Sequence, residues 1–397
     1  MRVTHNLMFK TGSSAMQAQQ QDILKVQESS LTGNRTNRPS DDPTGIYRHM
    51  LFSADLTGVQ SLKKTTEFAS QRLTLADSHV NQVHERMLES KDLALKMANS
   101  HVGGNPEIMK ATAEDAEAIY LDILKSVNSE IDEIPIFGGS RTRLPYDSKN
   151  LNATAVQVRS NGKGPMAPAP AGITASVADN HSVTDLPVSV KVTYLASSGQ
   201  FDVDVNGIKN PQPTAPTGTP PVLNIGNGIS MTLGSNPAPG DVYYFEVVPK
   251  YQGGAADRPV KVLNGQTLPG NINAQELLEG TGSVGRNVNV LGAVAALRGA
   301  LLRADPDEVS FLLDRLQEGR AQVSDLQAVT GVRVTQVDAV GKTLEIDELA
   351  LEEAKATNIE ADILGVMSSL EQTTQAMQVM TITERQVLNT SLIDFIR

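Results

Sequence analysis

Cysteine and tryptophan are both absent from the 397-residue chain. Without cysteine there can be no disulfide, no thiolate nucleophile, no Cys-ligated zinc and no iron–sulfur cluster. Aromatic residues are scarce, at 4%, so any core must rest on Leu, Val, Ile, Met and Ala. Aromatics supply the largest buried area per side chain, and a chain this poor in them tends toward thin, elongated cores. Positive charge is in deficit: the net charge is −11, against the clustered Lys and Arg that general nucleic-acid binding requires. Long apolar runs are missing too. Stretches such as Leu291–Leu297 and Val242–Val248 fall well short of the roughly 18–20 residues of a membrane-spanning helix, so no membrane insertion is expected. The first residues, MRVTHNLMFKTGSSAMQAQQQ, have no apolar stretch and no processing site. They do not read as a cleavable export signal.

What is present is unevenly distributed. Fifteen of the 20 prolines and 20 of the 31 glycines fall between Gly138 and Gly292, so a turn-rich middle is predicted between two helical arms. The left arm carries a heptad: Val59, Leu62, Thr66, Ala69, Leu73, Ala76, Val80, Val83, Met87, Ser90, Ala94 and Met97. A 3–4 spacing sustained this far predicts a coiled-coil seam on a helix about 55–60 Å long. Asn105 and Pro106 read as the N-cap and first residue of another helix. Its apolar face is expected to run through Ala116, Ile119, Ile123, Val127, Ile131 and Ile134 to a stop at Pro135.

In the right arm Val309, Leu316, Val323, Thr330, Val337, Leu344 and Leu351 recur every seven residues. After a one-residue phase shift, Ile359, Ile363, Val366, Leu370, Thr373, Met377 and Met380 resume the spacing. Such a shift is expected to change supercoiling without ending the helix. A weaker seam opens the chain at Phe9, Met16 and Ile23, with Val26 beside them. Neither terminal stripe can be buried by its own helix, and isolated helices of this kind are marginal in water. Pairing of the N- and C-terminal helices, within the chain or between copies, is the economical solution.

The middle reads as β. Pro187–Ala196 and Phe201–Gly207 alternate around a Ser-Ser-Gly-Gln turn and predict a hairpin; Asp241–Tyr251 is a further strand, and Asn210–Pro221 a loop.

Motifs for chemistry fail on inspection. Val340-Gly341-Lys342-Thr343 resembles the end of a phosphate-binding loop, but Gln336 stands where that motif needs glycine, and the segment lies inside a heptad run. Ser283 has Gly285 after it but Thr281 before it, so no nucleophile elbow forms. His79 and His84 are five apart, unsuited to joint metal binding on a helix, and are expected on solvated surface. No cofactor and no metal site is expected. The seven acids from Glu345 to Asp362 read as a solvated helix flank or a docking face for a basic partner.

One segment is more specific: Leu31-Thr-Gly-Asn-Arg-Thr-Asn-Arg-Pro-Ser-Asp-Asp-Pro-Thr-Gly45. Gly33 can close one helix in a left-handed conformation. Asp42 can cap the next with Pro43 at its first position, and Ser40 and Asp41 offer further acceptors near the positive helix end. This corner, with the paired terminal helices, resembles the flagellin-like axial proteins of bacterial flagella. The SDDP form is similar to the hook-associated members. Met1-Arg-Val-Thr4, Ile136-Phe-Gly-Gly-Ser-Arg-Thr-Arg143, Gly228-Ile-Ser-Met-Thr-Leu233 with Pro239-Gly-Asp241, and Leu388-Asn-Thr-Ser-Leu-Ile-Asp-Phe395 agree with that resemblance.

The expected fold is multidomain α plus β: N- and C-terminal helices paired in an elongated coiled-coil or helical-bundle rod, with an inserted mainly-β domain. The expected domains are a terminal coiled coil (1–45 and 355–397), disordered in the monomer; a helical rod (46–144 and 286–354); and a β-rich outer domain (145–285). Candidate packing residues of the terminal helices are Phe9, Met16, Ile23, Val26, Ile359, Ile363, Val366, Leu370, Met377 and Met380. Leu62, Leu73, Val80, Val83, Met87, Val323, Val337 and Leu344 are the candidate rod seam. The resemblance implies a non-enzymatic adaptor at the hook–filament junction, assembled as a ring of copies. It implies a hook-associated neighbour on one side, flagellin on the other, and an export chaperone at the C-terminal helix before secretion. It further implies type III export without a cleaved signal and an extracellular place on the flagellum. A filament flagellin or another hook-associated protein is the alternative; a ligand-binding or enzymatic protein with helical arms is more distant.

Overall fold

The computed structural model describes the chain except residues 1, 41, 100–104, 163, 235, 236, 263, 264, 281–285, 361 and 397, and except the side chains of 2–6, 8, 9, 359 and 387–396. Its helices are α1 (Arg2–Thr32), α2 (Pro43–Ala98), α3 (Pro106–Val127), α4 (Ala274–Glu279), α5 (Val290–Leu302), α6 (Pro306–Ile359) and α7 (Ile363–Ile396). The described residues separate into two compact units, 1–64 with 341–397 and 65–340. Helices α2 and α6 contribute residues to both. With 56 and 54 residues they are about 84 and 81 Å long at 1.5 Å per residue.

Within the 65–340 unit the heptad positions of α2 are core: Leu73, Val80, Val83, Met87 and Ala94 are all fully buried. They share one apolar cluster with Leu316, Val323, Leu326 and Val337 of α6, with Met109, Ala116, Ile119 and Ile123 of α3, and with nearly all of α5. Lys91 Nζ to Gln317 Oε1 (2.6 Å) and Ser70 Oγ to Asp338 Oδ1 (2.6 Å) tie the rims of α2 and α6, with the two helices antiparallel.

Two expectations about helix ends are corrected. Helix α3 stops at Val127, not at Pro135. The Asn128 side chain donates to Tyr146 O (2.8 Å) and accepts from Tyr146 N–H (3.0 Å), while Asp132 and Glu133 turn left-handed (φ 50° and 62°). Ile131 and Ile134 therefore sit across a hairpin from β1 (Glu130–Ile131) to β2 (Ile134–Pro135). The phase shift after Leu351 also ends a helix. Helix α6 stops at Ile359, and Asp362 caps α7 by accepting from Leu364 N–H (3.1 Å). The Val340–Thr343 segment lies within α6, as the heptad implied.

The rest of the β structure runs from Tyr146 to Pro269. A seven-stranded sheet contains β3 (Tyr146–Ala153), β4 (Gln157–Arg159), β5 (Ala167–Pro168), β7 (Val188–Leu195), β8 (Gln200–Val205), β9 (Ile208–Lys209) and β12 (Val242–Tyr251). Its order is β5-β4-β12-β7-β8-β9, with β3 also pairing β12. The second sheet joins β6 (Thr174–Val177), β10 (Val222–Gly226) and β11 (Ile229–Thr232), and β13 (Pro259–Lys261) with β14 (Thr267–Pro269) makes a separate hairpin. The expected β7–β8 hairpin forms, with Tyr194 opposite Phe201. Strand β12 is buried along eight consecutive residues, the pattern of a strand covered on both faces. Tyr243, Phe245 and Val247 enter the core shared with the smaller sheet, whereas Val248 joins the helical core.

The β insert is held on the helices by close backbone approach and by buried charge. A Cβ on Gly139 (φ +59°) would lie 1.9 Å from Gly254 O, so the Phe137-Gly138-Gly139 turn admits only glycine there. Arg72, 3% exposed, donates through Nη2 to Pro135 O (2.7 Å) and Ile136 O (3.0 Å) from α2. Glu246 on β12 is 2% exposed and is paired by Arg315 of α6 (Nη2 to Oε2 2.9 Å; Nη1 to Oε1 3.2 Å) and by Thr154 Oγ1 (2.7 Å). At the α5–α6 corner, Arg303 pairs with Glu308 and Asp204, while Lys191 reaches Asp305 (3.1 Å) and Glu308 (3.3 Å). Burial alone would raise the Asp305 carboxyl. The Glu308 N–H and Lys191 outweigh it and hold Asp305 below the usual range.

Removing one partner of a buried pair leaves an uncompensated charge, costing about 3–5 kcal/mol. Arg315→Met is expected to destabilise the 65–340 unit by about that amount, and Arg315→Met with Glu246→Met is expected to recover most of it. Urea melts of the three proteins check this; a double variant no more stable than Arg315→Met contradicts the pairing.

Candidate functional site

In the 1–64/341–397 unit, α1 and α7 form an antiparallel pair. Gln19 Nε2 donates to Thr373 O at 3.3 Å, and Asn34 makes an antiparallel bridge with Glu360 at the pair's end. The half-buried side of α1 includes Gly12, Met16, Gln19, Ile23 and Val26; that of α7 includes Val366, Leu370, Thr373, Met377, Met380 and Glu384. Of the candidate packing residues, these two sets hold Met16, Ile23, Val26, Val366, Leu370, Met377 and Met380. Ile363 stands 66% exposed. The side chains of Phe9, Ile359 and the C-terminal motif Leu388–Phe395 lie outside the described residues.

Among the described residues, neither α1 nor α7 has a single fully buried side chain. Helix α2, by contrast, buries eleven of its twelve heptad residues, Leu62 being half-buried. Large apolar side chains of the terminal pair face water instead: Leu24 and Leu31 on α1, and Ile363, Leu364, Met367, Val379 and Ile382 on α7. Leaving a side chain of this size in water forgoes about 1.5–3 kcal/mol of burial.

The corner between α1 and α2 is a capped turn. Gly33 takes φ +72° and donates to Ser29 O (2.9 Å). Asp42 Oδ1 accepts from Gly45 N–H (2.8 Å), Pro43 begins α2, and Ser40 is exposed; Asp41 lies outside the described residues. A Cβ on Gly45 would lie 2.5 Å from Asp42 Oδ2, so a side chain there would displace the capping carboxylate. Asn358 Nδ2 reaches Gly45 O (2.6 Å) from α6, and Lys63 Nζ pairs with Glu348 (2.7 Å). Of the rod-seam residues, Leu73, Val80, Val83, Met87, Val323, Val337 and Leu344 are buried and Leu62 half-buried. Sequence reasoning missed Arg72, Glu246 and Arg315. Their signal was a charged residue at a core register, visible for Arg72 beside Leu73.

His79 is half-buried and edge-on to Phe137, with 6.4 Å between centroids. Burial pushes its imidazole down, so the solvated placement expected for it is corrected. Among the described residues, no group of three or more His, Asp and Glu side chains is placed to hold a metal, and no helix is long and apolar enough to cross a membrane. The clefts are polar or proline-lined. One of about 390 Å³ lies beside Thr154 and Arg315, and one of about 470 Å³ is floored by Tyr194 and Phe201.

Residues 3–131 match the family described as the bacterial flagellin N-terminal helical region. The chain is similar to flagellar hook-associated protein 3 of Salmonella typhimurium, at 24% identity over 149 residues. The match covers 37% of this chain and 46% of the relative, so it spans less than half of that protein's length. The fold resembles that of a protein assigned as a flagellar hook-associated protein from Vibrio parahaemolyticus. There the TM-score is 0.50 at 15% identity, over 81% of this chain and all of the other. The flagellar junction protein FlgL of Legionella pneumophila aligns at a TM-score of 0.39 and 13% identity, over 79% of this chain and all of the other.

A charge in the half-buried seam penalises the terminal pair alone. Leu370→Asp is expected to keep the chain out of isolated flagella, while the melting midpoint of the 65–340 unit stays within about 1 °C because the change removes none of its contacts. A shifted midpoint, or a variant that still joins flagella, contradicts the assignment of this face.

Proposed function

We propose that this protein is a structural adaptor of the bacterial flagellum that joins hook to filament as a ring of identical copies. The carrying observation is the α1–α7 pair, which has no fully buried described side chain and a row of exposed apolar residues. Such a pair gains burial only from neighbouring chains, and binding that favours the folded form stabilises it by mass action. The flagellin-type match over residues 3–131 and the likeness to hook-associated protein 3 support the same reading.

On this reading the terminal coiled coil (1–45 and 355–397) forms the inner layer and is unfolded before assembly. The helical rod (46–144 and 286–354) stacks around it, and the β-rich domain (145–285) faces outward. Export runs through the flagellar type III apparatus without a cleaved signal, with a chaperone on the C-terminal helix. A hook-associated protein lies on the hook side and flagellin on the filament side, outside the cell. No catalytic step is part of the role; the side chains of the terminal helices serve packing.

Deletion of the gene tests this. Electron microscopy of the cells is expected to reveal bare hooks, with flagellin shed into the medium. Filaments of normal length and number would remove the adaptor reading.

A further inference from the structure

Arg72 of α2 is 3% exposed, yet only its Nη2 is used, by the carbonyls of Pro135 and Ile136. Its Nε–H and Nη1–H groups are buried and meet no acceptor among the described residues. A buried donor without an acceptor forfeits its hydration, and the loss is greater on a charged group. No carboxylate among the described residues pairs with Arg72; the charge that acts on it is a second cation, Arg258. Burial and then Arg258 both pull the guanidinium down from its usual range, as expected of a charge without a counter-charge. Arg258 is itself spent on backbone oxygens, Nε on Gly139 O (2.8 Å) and Nη2 on Arg141 O (3.1 Å), and neighbouring Asp257 is taken by Arg333 (3.4 Å). Another orphaned donor lies close by. Asn271 is 2% exposed; its Oδ1 accepts from Arg258 N–H (2.7 Å), while its Nδ2 is buried without a partner. The main chain before it rests on α2, for a Cβ on Gly270 would touch the Ala69 Cβ at 3.7 Å. Ala69 is one turn before Arg72, and side chains on a helix lean toward its N-terminus, which carries Arg72 toward this segment.

We propose that Arg72, with Asn271 and Arg258 beside it, binds a halide such as chloride, which clamps α2 to the turn where the β insert begins. Buried charges are stable when paired and hydrogen-bonded, and hydrogen bonds from a charged donor to an anion are the strong ones. The class of anion follows from the surroundings. The carbonyls of Pro135, Ile136, Gly139 and Arg141 already stand on these two guanidiniums and disfavour the second negative charge of sulfate or phosphate, which is also costlier to desolvate. A halide accepts N–H groups from any direction and needs no donor in return. A water molecule would accept from the same donors but would leave the charge of Arg72 unpaired, and that difference sets the test. The site lies within residues 65–340 and stands independently of the adaptor reading.

The full-length chain is unfolded in urea at rising sodium chloride, with ionic strength held constant by sodium gluconate, whose anion is too large for a buried site. An anion held only by the folded form stabilises it by mass action. Once the site begins to fill, each tenfold rise in chloride is expected to raise the folded-to-unfolded ratio of the 65–340 unit about tenfold, and bromide is expected to do the same. Arg72→Met removes the charge and is expected to abolish this dependence. Asn271→Asp keeps an acceptor for Arg258 N–H and supplies a fixed carboxylate in place of the ion. It is expected to be stable without chloride and indifferent to it, and it carries the test if Arg72→Met does not fold. A wild-type stability that ignores chloride would overturn the proposal, leaving buried water on these donors. So would a chloride dependence that survives in Asn271→Asp or in Arg72→Met, which would put the ion elsewhere.

Discussion

An amphipathic helix is stable only when its apolar stripe is covered, and each part of this chain meets that requirement differently. Within residues 65–340, α2 and α6 cover one another and are closed by α3 and α5, so Leu73, Val80, Met87 and Val323 lose all contact with water. Among the described residues, helices α1 and α7 pack chiefly on each other. Two helices in contact hide one strip apiece, which leaves Met16, Leu370 and Met377 half-buried and Leu24, Leu31 and Leu364 in solvent. The same heptad grammar thus yields a finished core in one unit and an unfinished one in the other. On the proposed reading, the unfinished one is where assembly gains its burial.

The β insert depends on the finished core for its position. It meets the helices with a strand buried on both faces, with glycines that allow backbone contact at Gly139 and Gly254, and with buried ion pairs at Glu246–Arg315 and Arg303–Glu308. Buried pairs of this kind add little net stability over apolar replacements, but they penalise every alternative arrangement. That suits an insert that must stay in register on a long helical support.

Much of this was legible in the residues. The 3–4 spacing from Val59 to Met97 identified a buried seam because periodicity reports a face directly, and Gly33, Asp42 and Pro43 identified the corner because capping chemistry is local. The β7–β8 hairpin was legible for the same reason. Tertiary events were not. Helix α3 ends at Val127 because Asn128 is claimed by Tyr146, 18 residues on, and the apolar spacing through Ile131 and Ile134 continues across a hairpin that merely preserves it. The shift near Ile359 looked like a supercoil adjustment because periodicity does not distinguish a stutter from a break. The partners of the buried charges Arg72 and Glu246 were hidden because they come from distant elements. His79 read as surface for want of any signal that Phe137 packs against it. For the terminal helices, the stripe was visible in sequence but its incomplete coverage needed coordinates.

The central claim is that α1 and α7 await neighbours. Hydrogen exchange followed by mass spectrometry on the isolated chain and on the same chain within assembled flagella measures this most directly. Amides of α1 and α7 are expected to exchange within seconds in the isolated chain and to become protected by orders of magnitude on assembly, while α2 from Leu73 to Met97 is protected in both. Equal, strong protection of the terminal helices in both states would contradict the account.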